Sequence, residues 1–378
     1  MLRTALSAIL IASFVACSAR TIERYTKSGD RYMQARRYAE AIIQYRNAVR
    51  LDPQSAALQK KLGDAYASYQ DFVGASIAYE SAWELDESDT GTAIKAGNAH
   101  MAFGDITGAA AVARKLLRVN ESNVDAHLLL ARALLEAGDL RLAEQELKAA
   151  IALAPTNALA YEILGDLQRR AGNVAAAETS FNTAAKLEPS SPRPHLALAS
   201  LFLDNDRVDD GERQLRTAIE LAPDDPDANR AYASLLVSTD RCDDAEGYWL
   251  KASKGSPDAS GTLSLADYYV YASRPDDALK VLTPLTTDRD EGGAARMRIA
   301  SIYYDRGEPD DAERLADQVL AHEPDNMMAL MMKSRVALDR GDRPAALEYA
   351  KHAAKAAPDA PAPAELLATL QTPARPAR

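Results

Sequence analysis

Cysteine is nearly missing from this chain of 378 residues: there are two, Cys17 and Cys242. The first falls in an apolar leader, so no internal disulfide framework is available and packing must supply stability. Aromatic residues make up only 6%, too few to furnish the faces of a β-sandwich. Positive charge is in deficit, with 44 Lys and Arg against 55 Asp and Glu and a formal net charge of −11. That balance argues against a nucleic-acid partner and repels anionic lipid surfaces at long range. The vocabulary of catalysis is thin as well. The five histidines, His100, His127, His195, His322 and His352, include no pair at i, i+3 or i, i+4 that would set two metal ligands on one helical face. Neither a phosphate-cradling glycine loop nor a Gly-x-Ser-x-Gly elbow occurs. The chain reads as a non-enzyme without metal or cofactor.

Alanine, by contrast, is abundant at about a fifth of the residues, the composition of close-packed helices and an all-α fold. The first 16 residues place one Arg before about a dozen mostly apolar residues, the layout of a secretory signal and too short for the ~20 residues of a membrane span. The run ends Phe14-Val15-Ala16-Cys17-Ser18, which resembles the lipobox of bacterial lipoproteins. That resemblance implies cleavage before Cys17, acylation of its thiol, a tether over 17–21 and, with Ser18 in place of Asp, sorting toward the outer membrane.

From Ile22 the chain repeats with a period of 34 residues, with unit starts at Ile22, Ala56, Thr90, Val124, Ala158, Pro192, Pro226, Ala259, Gly293 and Met327. Position 8 of each unit is small (Gly29, Gly63, Gly97, Gly165), and so is position 20 (Ala41, Ala75, Ala109, Ala143), as two antiparallel helices in close approach require. Bulky residues recur at position 24 (Tyr45, Tyr79, Leu147, Phe181), Gly or Asp at position 15, and proline where the second helix should stop. The set Gly29, Tyr32, Ala41, Tyr45, Ala48 and Pro53 resembles the tetratricopeptide repeat. The resemblance implies a right-handed α-solenoid of about ten helix-turn-helix repeats over 22–360, followed by a short capping helix and a disordered tail over 361–378. Pro284, inside a second helix, predicts a kink or early end over 284–293. Acidic pairs at positions 18 and 19, such as Asp209-Asp210 and Asp243-Asp244, are expected to cap helices and complement their dipoles.

In the tetratricopeptide family the first helices line a groove through positions 2, 5, 9 and 12. The resemblance therefore implies a partner-binding surface of Met101, Leu128, Leu135, Leu196, Leu203, Val237, Val270, Met297, Tyr304, Met331 and Leu338. The alternative is that these side chains fill the groove themselves. On the open reading, changing Leu135 and Leu203 together to Glu abolishes partner capture without unfolding the chain. The family's carboxylate clamp is approached only by Lys60, Lys61, Lys95 and Asn98, with Asp64 beside them. The combined expectation is a membrane-anchored, periplasm-facing scaffold that binds extended or helical protein segments, resembling the tetratricopeptide lipoproteins of exopolysaccharide export and protein sorting. A pilotin-like assembly factor and a polysaccharide-binding protein are the alternatives.

Overall fold

The structure is a computed structural model that describes residues 19–256, 258–287 and 292–371. The leader and Cys17 lie outside the described residues, as does the tail from 372. Every regular element described is helical. The first helices of the repeats are α1 (19–34), α3 (Ala56–Ser68), α5 (Thr90–Ala102), α7 (Val124–Glu136), α9 (Ala158–Arg170), α11 (Arg193–Leu203), α13 (Pro226–Ser238), α15 (Ser260–Tyr271), α17 (Gly292–Asp305) and α19 (Met327–Asp339). The second helices are α2 (Tyr38–Leu51), α4 (Phe72–Leu85), α6 (Ile106–Val119), α8 (Leu140–Leu153), α10 (Val174–Leu187), α12 (Val208–Leu221), α14 (Cys242–Gly255), α16 (Pro275–Leu282), α18 (Pro309–Leu320) and α20 (Arg343–Ala356). A last helix, α21 (Pro361–Gln371), packs on α20 and buries Leu370.

The 34-residue columns explain the hairpins. Each turn holds a left-handed residue at position 15: Arg36, Gln70, Gly104, Gly138, Gly172, Asp206, Asp240, Ser273, Gly307 and Gly341 all have positive φ. A single such residue ends one helix and reverses the chain into the next. Position 20 is sealed, with Ala41, Ala75, Ala109, Ala143 and Ala177 all at 0% exposure. At Gly29, Gly63 and Gly165 the ring at position 24 of the same hairpin lies over position 8, whereas Gly97 is covered by Leu129 of the next repeat. A Cβ on Gly63 would stand 2.6 Å from the Tyr79 ring, and one on Gly165 would stand 2.5 Å from the Phe181 ring.

Helix starts are made in two ways. Asp71, Asp105, Asp139 and Asp342, all at position 16, accept from the backbone N–H three residues on and cap α4, α6, α8 and α20. Where position 16 is arginine, at Arg37, Arg207, Arg241 and Arg274, no side-chain cap forms. The acidic pairs at positions 18 and 19 then sit within the first turn of α12, α14 and α16. They complement the dipole but do not occupy the cap, which corrects half of the sequence expectation. At α16 the helix stops at Leu282, two residues before Pro284, and a 3-10 turn follows over Thr283–Thr287.

By contacts the chain divides into two units, residues 1–206 and 207–378. In the first, consecutive hairpins stack through α2·α3, α4·α5, α6·α7, α8·α9 and α10·α11, and the first helices also touch one another along α5·α7 and α7·α9. Its largest apolar cluster runs from Trp83 to Leu167 and encloses Leu128, Leu129, Leu134, Leu135 and Leu147. In the second unit α14·α15, α18·α19 and α20·α21 make the equivalent seams.

Candidate functional site

The predicted inward stripe is not a continuous apolar surface. Leu128, Leu135, Met297 and Met331 are buried, at 3%, 4%, 7% and 8% exposure. Because the first helices of successive hairpins touch directly, side chains at these columns fill the seam between them and offer little surface to a partner. Leu128, Met297 and Met331 are therefore core rather than groove residues, Leu135 touches a cleft only at its rim, and Leu135→Glu would put a charge into the core. Met101, Leu196, Leu203, Val237 and Tyr304 are half-buried, whereas Val270 and Leu338 are exposed at 44% and 37%. Tyr304 is already engaged, its hydroxyl donating to Asp339 Oδ2 at 2.5 Å. Of this set, Met101 and Leu135 lie together at the rim of one cleft.

The clamp-like lysines are not free either. Lys61 Nζ lies 2.6 Å from Asp30 Oδ1 and Lys95 Nζ 2.6 Å from Asp64 Oδ1, each a tie between neighbouring hairpins. The same two aspartates accept from Tyr45 at 2.7 Å and Tyr79 at 2.8 Å. The rule is positional: Asp at position 9 is held by Tyr at position 24 of its own repeat and by Lys at position 6 of the next. Arg298 repeats the second half of the pattern on Asp267, with both bonds under 3 Å, at 2.8 and 2.9 Å.

Asp166 has the same position 9 but lacks both partners, because Phe181 replaces the tyrosine and Ala197 the lysine. What remains is Arg169, 3.6 Å away. The carboxyl keeps 45% of its side-chain surface, yet the protein crowded around it removes enough water to raise its pKa. One turn earlier on α9, Glu162 is 7% exposed. Arg193 holds its Oε2 at 2.6 Å, and Oε1 is buried with no hydrogen-bond partner among the described residues. Burial pushes this carboxyl up, the nearby Arg193 opposing.

Both acids line a cleft of about 740 Å³ along α5, α7 and α9, to which α11 contributes Arg193. Its other polar walls are Asn98, Arg132, Glu136 and Arg170. Arg132 donates to Asn98 Oδ1 at 3.0 Å, and Arg170 donates to the Leu135 carbonyl at 3.1 Å and to Glu136 Oε1 at 2.5 Å. Met101, Ile106, Leu159 and Ile163 supply the apolar part, and no aromatic ring lines it. Sequence reasoning singled out Asn98 but missed Arg132, Glu162, Asp166, Arg170 and Arg193. The available signal was the loss of Tyr and Lys at two columns around a retained Asp. Among the described residues no group of His, Cys, Asp or Glu is arranged to hold a metal, and no helix is long and apolar enough to cross a membrane. Cys242 is half-buried at the start of α14.

No curated protein sequence matches this chain. Among solved structures it is similar to yeast Tom70, at 14% identity over 93% of this chain and 95% of that one, with a TM-score of 0.54. A tetratricopeptide repeat protein of Parabacteroides merdae is 19% identical over 67% of this chain and all of its own, TM-score 0.48. A thermophilic repeat protein of Thermus thermophilus is 23% identical over 47% of this chain and 97% of its own, TM-score 0.42. Identities this low speak to fold alone. One tetratricopeptide-repeat signature matches residues 94–158, 128–192, 263–312 and 298–361, and two others match 168–235 and 29–69. With more than half its length covered by the first of these, and helical hairpins at every predicted repeat, the chain belongs to the tetratricopeptide repeat family.

Proposed function

We propose that this protein is a lipid-tethered, periplasm-facing scaffold of the bacterial envelope, serving exopolysaccharide export, and that the cleft along α5, α7 and α9 holds an extended segment of a partner protein. Its repeats already make it a scaffold for protein–protein contacts. The observation that carries the cleft reading is the pair Glu162 and Asp166, one with a buried oxygen that has no hydrogen-bond partner among the described residues and the other without the two partners that hold Asp30 and Asp64. Three arginines and three acids line the space, so it favours no net charge but offers donors and acceptors together. An extended main chain, with alternating N–H and C=O, matches that demand, and Met101 and Leu159 provide contact for its side chains. Polysaccharide binding is disfavoured because sugar sites stack on aromatic rings and none is here.

The test is a photoreactive residue at Asn98, irradiated in cells, with Ala197→Lys as the blocking variant. A lysine at 197 restores the position-6 partner of Asp166 and should close the cleft. A crosslinked export component that disappears in Ala197→Lys is expected. A crosslink unaffected by that change, or none to any protein, overturns the cleft reading, and a pilus or secretin subunit as the captured protein would favour the pilotin-like role. The tether is supported by the run ending at Cys17 and is read separately. Labelled palmitate should enter the wild type but not Cys17→Ser, and recovery of the wild type in the soluble periplasm after osmotic shock would overturn it.

A further inference from the structure

Although the chain is acidic as a whole at −11, its first hairpin inverts that sign: residues 19–51 carry eight basic side chains against three acidic ones. On α1, Arg20, Arg24, Lys27 and Arg31 follow one another at i, i+4, i+7 and i+11, which is one helical stripe. They line a single open depression of about 670 Å³ together with Glu23 and Asp30. Asp30 is already neutralised by Lys61, and Glu23 by Lys27. Arg20, Arg24 and Arg31 are exposed and have no acidic partner among the described residues, Arg24 lying only over the Tyr25 ring at 5.3 Å. Some exposed arginines elsewhere are tied to acids, as Arg274 is to Glu246 and Asp277, and others such as Arg114 and Arg118 have no acidic partner among the described residues; the first hairpin differs in lining three such arginines along one helical face. Three arginines left without acids along one face of α1 repel one another at a cost that a bound anionic surface would remove.

We propose that the α1 stripe is a second membrane contact, docking the first hairpin on anionic phospholipid headgroups. Arg20 is three residues from Cys17, so no more than about 11 Å of extended chain separates them. That keeps the stripe near the bilayer whenever Cys17 is acylated, where each basic side chain close to an anionic surface adds about 1 kcal/mol of attraction. The location rests on the tethered reading, but the contact is tested without it.

The experiment uses the full chain carrying Cys17→Ser, sedimented with vesicles of phosphatidylglycerol and phosphatidylcholine or of phosphatidylcholine alone. Binding to the anionic vesicles only is expected, falling steeply with salt. Arg20→Gln, Arg24→Gln and Arg31→Gln combined should lower partitioning on the order of a hundredfold, at about fivefold per arginine, with the circular dichroism spectrum unchanged. Equal binding of the triple variant, equal binding to neutral vesicles, or capture of a short DNA duplex in place of vesicles would each overturn the proposal. Failure of palmitate labelling at Cys17 would sink the tether and leave this result standing.

Discussion

Single side chains in this protein are set apart by whether their partners on neighbouring repeats are present. Glu212 has them: Arg241 of the following hairpin grips both its oxygens at 2.9 and 2.8 Å, and Arg216 and Tyr232 add to the hold. The hydrogen bond from Arg241 leads in pulling its pKa down to about 2. A folded value below the unfolded one means stability that is complete above pH ~4.5 and is lost as the pH falls toward about 2. Arg241→Met should therefore lower the urea midpoint at pH 7, and the gap from wild type should close on acidification; a constant gap across the titration would contradict this. Glu162 is the opposite case, its carboxyl raised by burial. The ionised form then costs stability as the pH climbs through the raised value, so Glu162→Gln should gain on wild type with increasing pH in the same titration. An equal midpoint difference at pH 4 and pH 8 would rule out burial of the charge as the cause.

At the scale of the hairpin, the sequence was most legible where the constraint is local and periodic. Positions 8, 20 and 24 are set within one hairpin, so small residues at Gly63 and Ala75 and the ring of Tyr79 announce themselves at fixed offsets. The turn column was read for its glycines and aspartates, yet the backbone imposes the same left-handed φ on Arg36, Gln70 and Ser273. For an ordinary L-residue that conformation costs on the order of 1 kcal/mol. Gln70→Gly should raise the melting temperature and Gly138→Ala should lower it, each by about that free energy in chemical denaturation. The site was less legible because it depends on contacts between hairpins. Leu128 and Leu135 carry the right residue type for an inward face, but whether an inward leucine meets solvent or the next helix is set by how closely α5, α7 and α9 approach. No spacing within one repeat encodes that distance. Asp166 was passed over for a related reason: its meaning lies in the residues missing at 181 and 197, not in any motif it completes.

Across the whole molecule, cohesion is assembled from junctions between neighbours, the regime in which stability is roughly a sum of local terms. Leu147 is fully buried inside the largest cluster of the first unit. Leu147→Ala should cost about 2–5 kcal/mol. In native-state hydrogen exchange the loss should appear from α6 to α9 and leave α17 to α20 unchanged. Uniform loss across both units would show a single cooperative block instead. The tie between position 9 and position 6 has a further bearing on how such a chain can change length. Excising residues 56–89 would bring Lys95 against Asp30, and the broken bond would be replaced by an identical one. Excising 158–191 would remove Glu162 and Arg170, the partners of Arg193 and Glu136, and the new pair, Arg132 against Ala197, would replace neither bond. Gene deletion or duplication is thus forgiven among the opening repeats and punished at the cleft, so the array is modular at its start and committed at its centre.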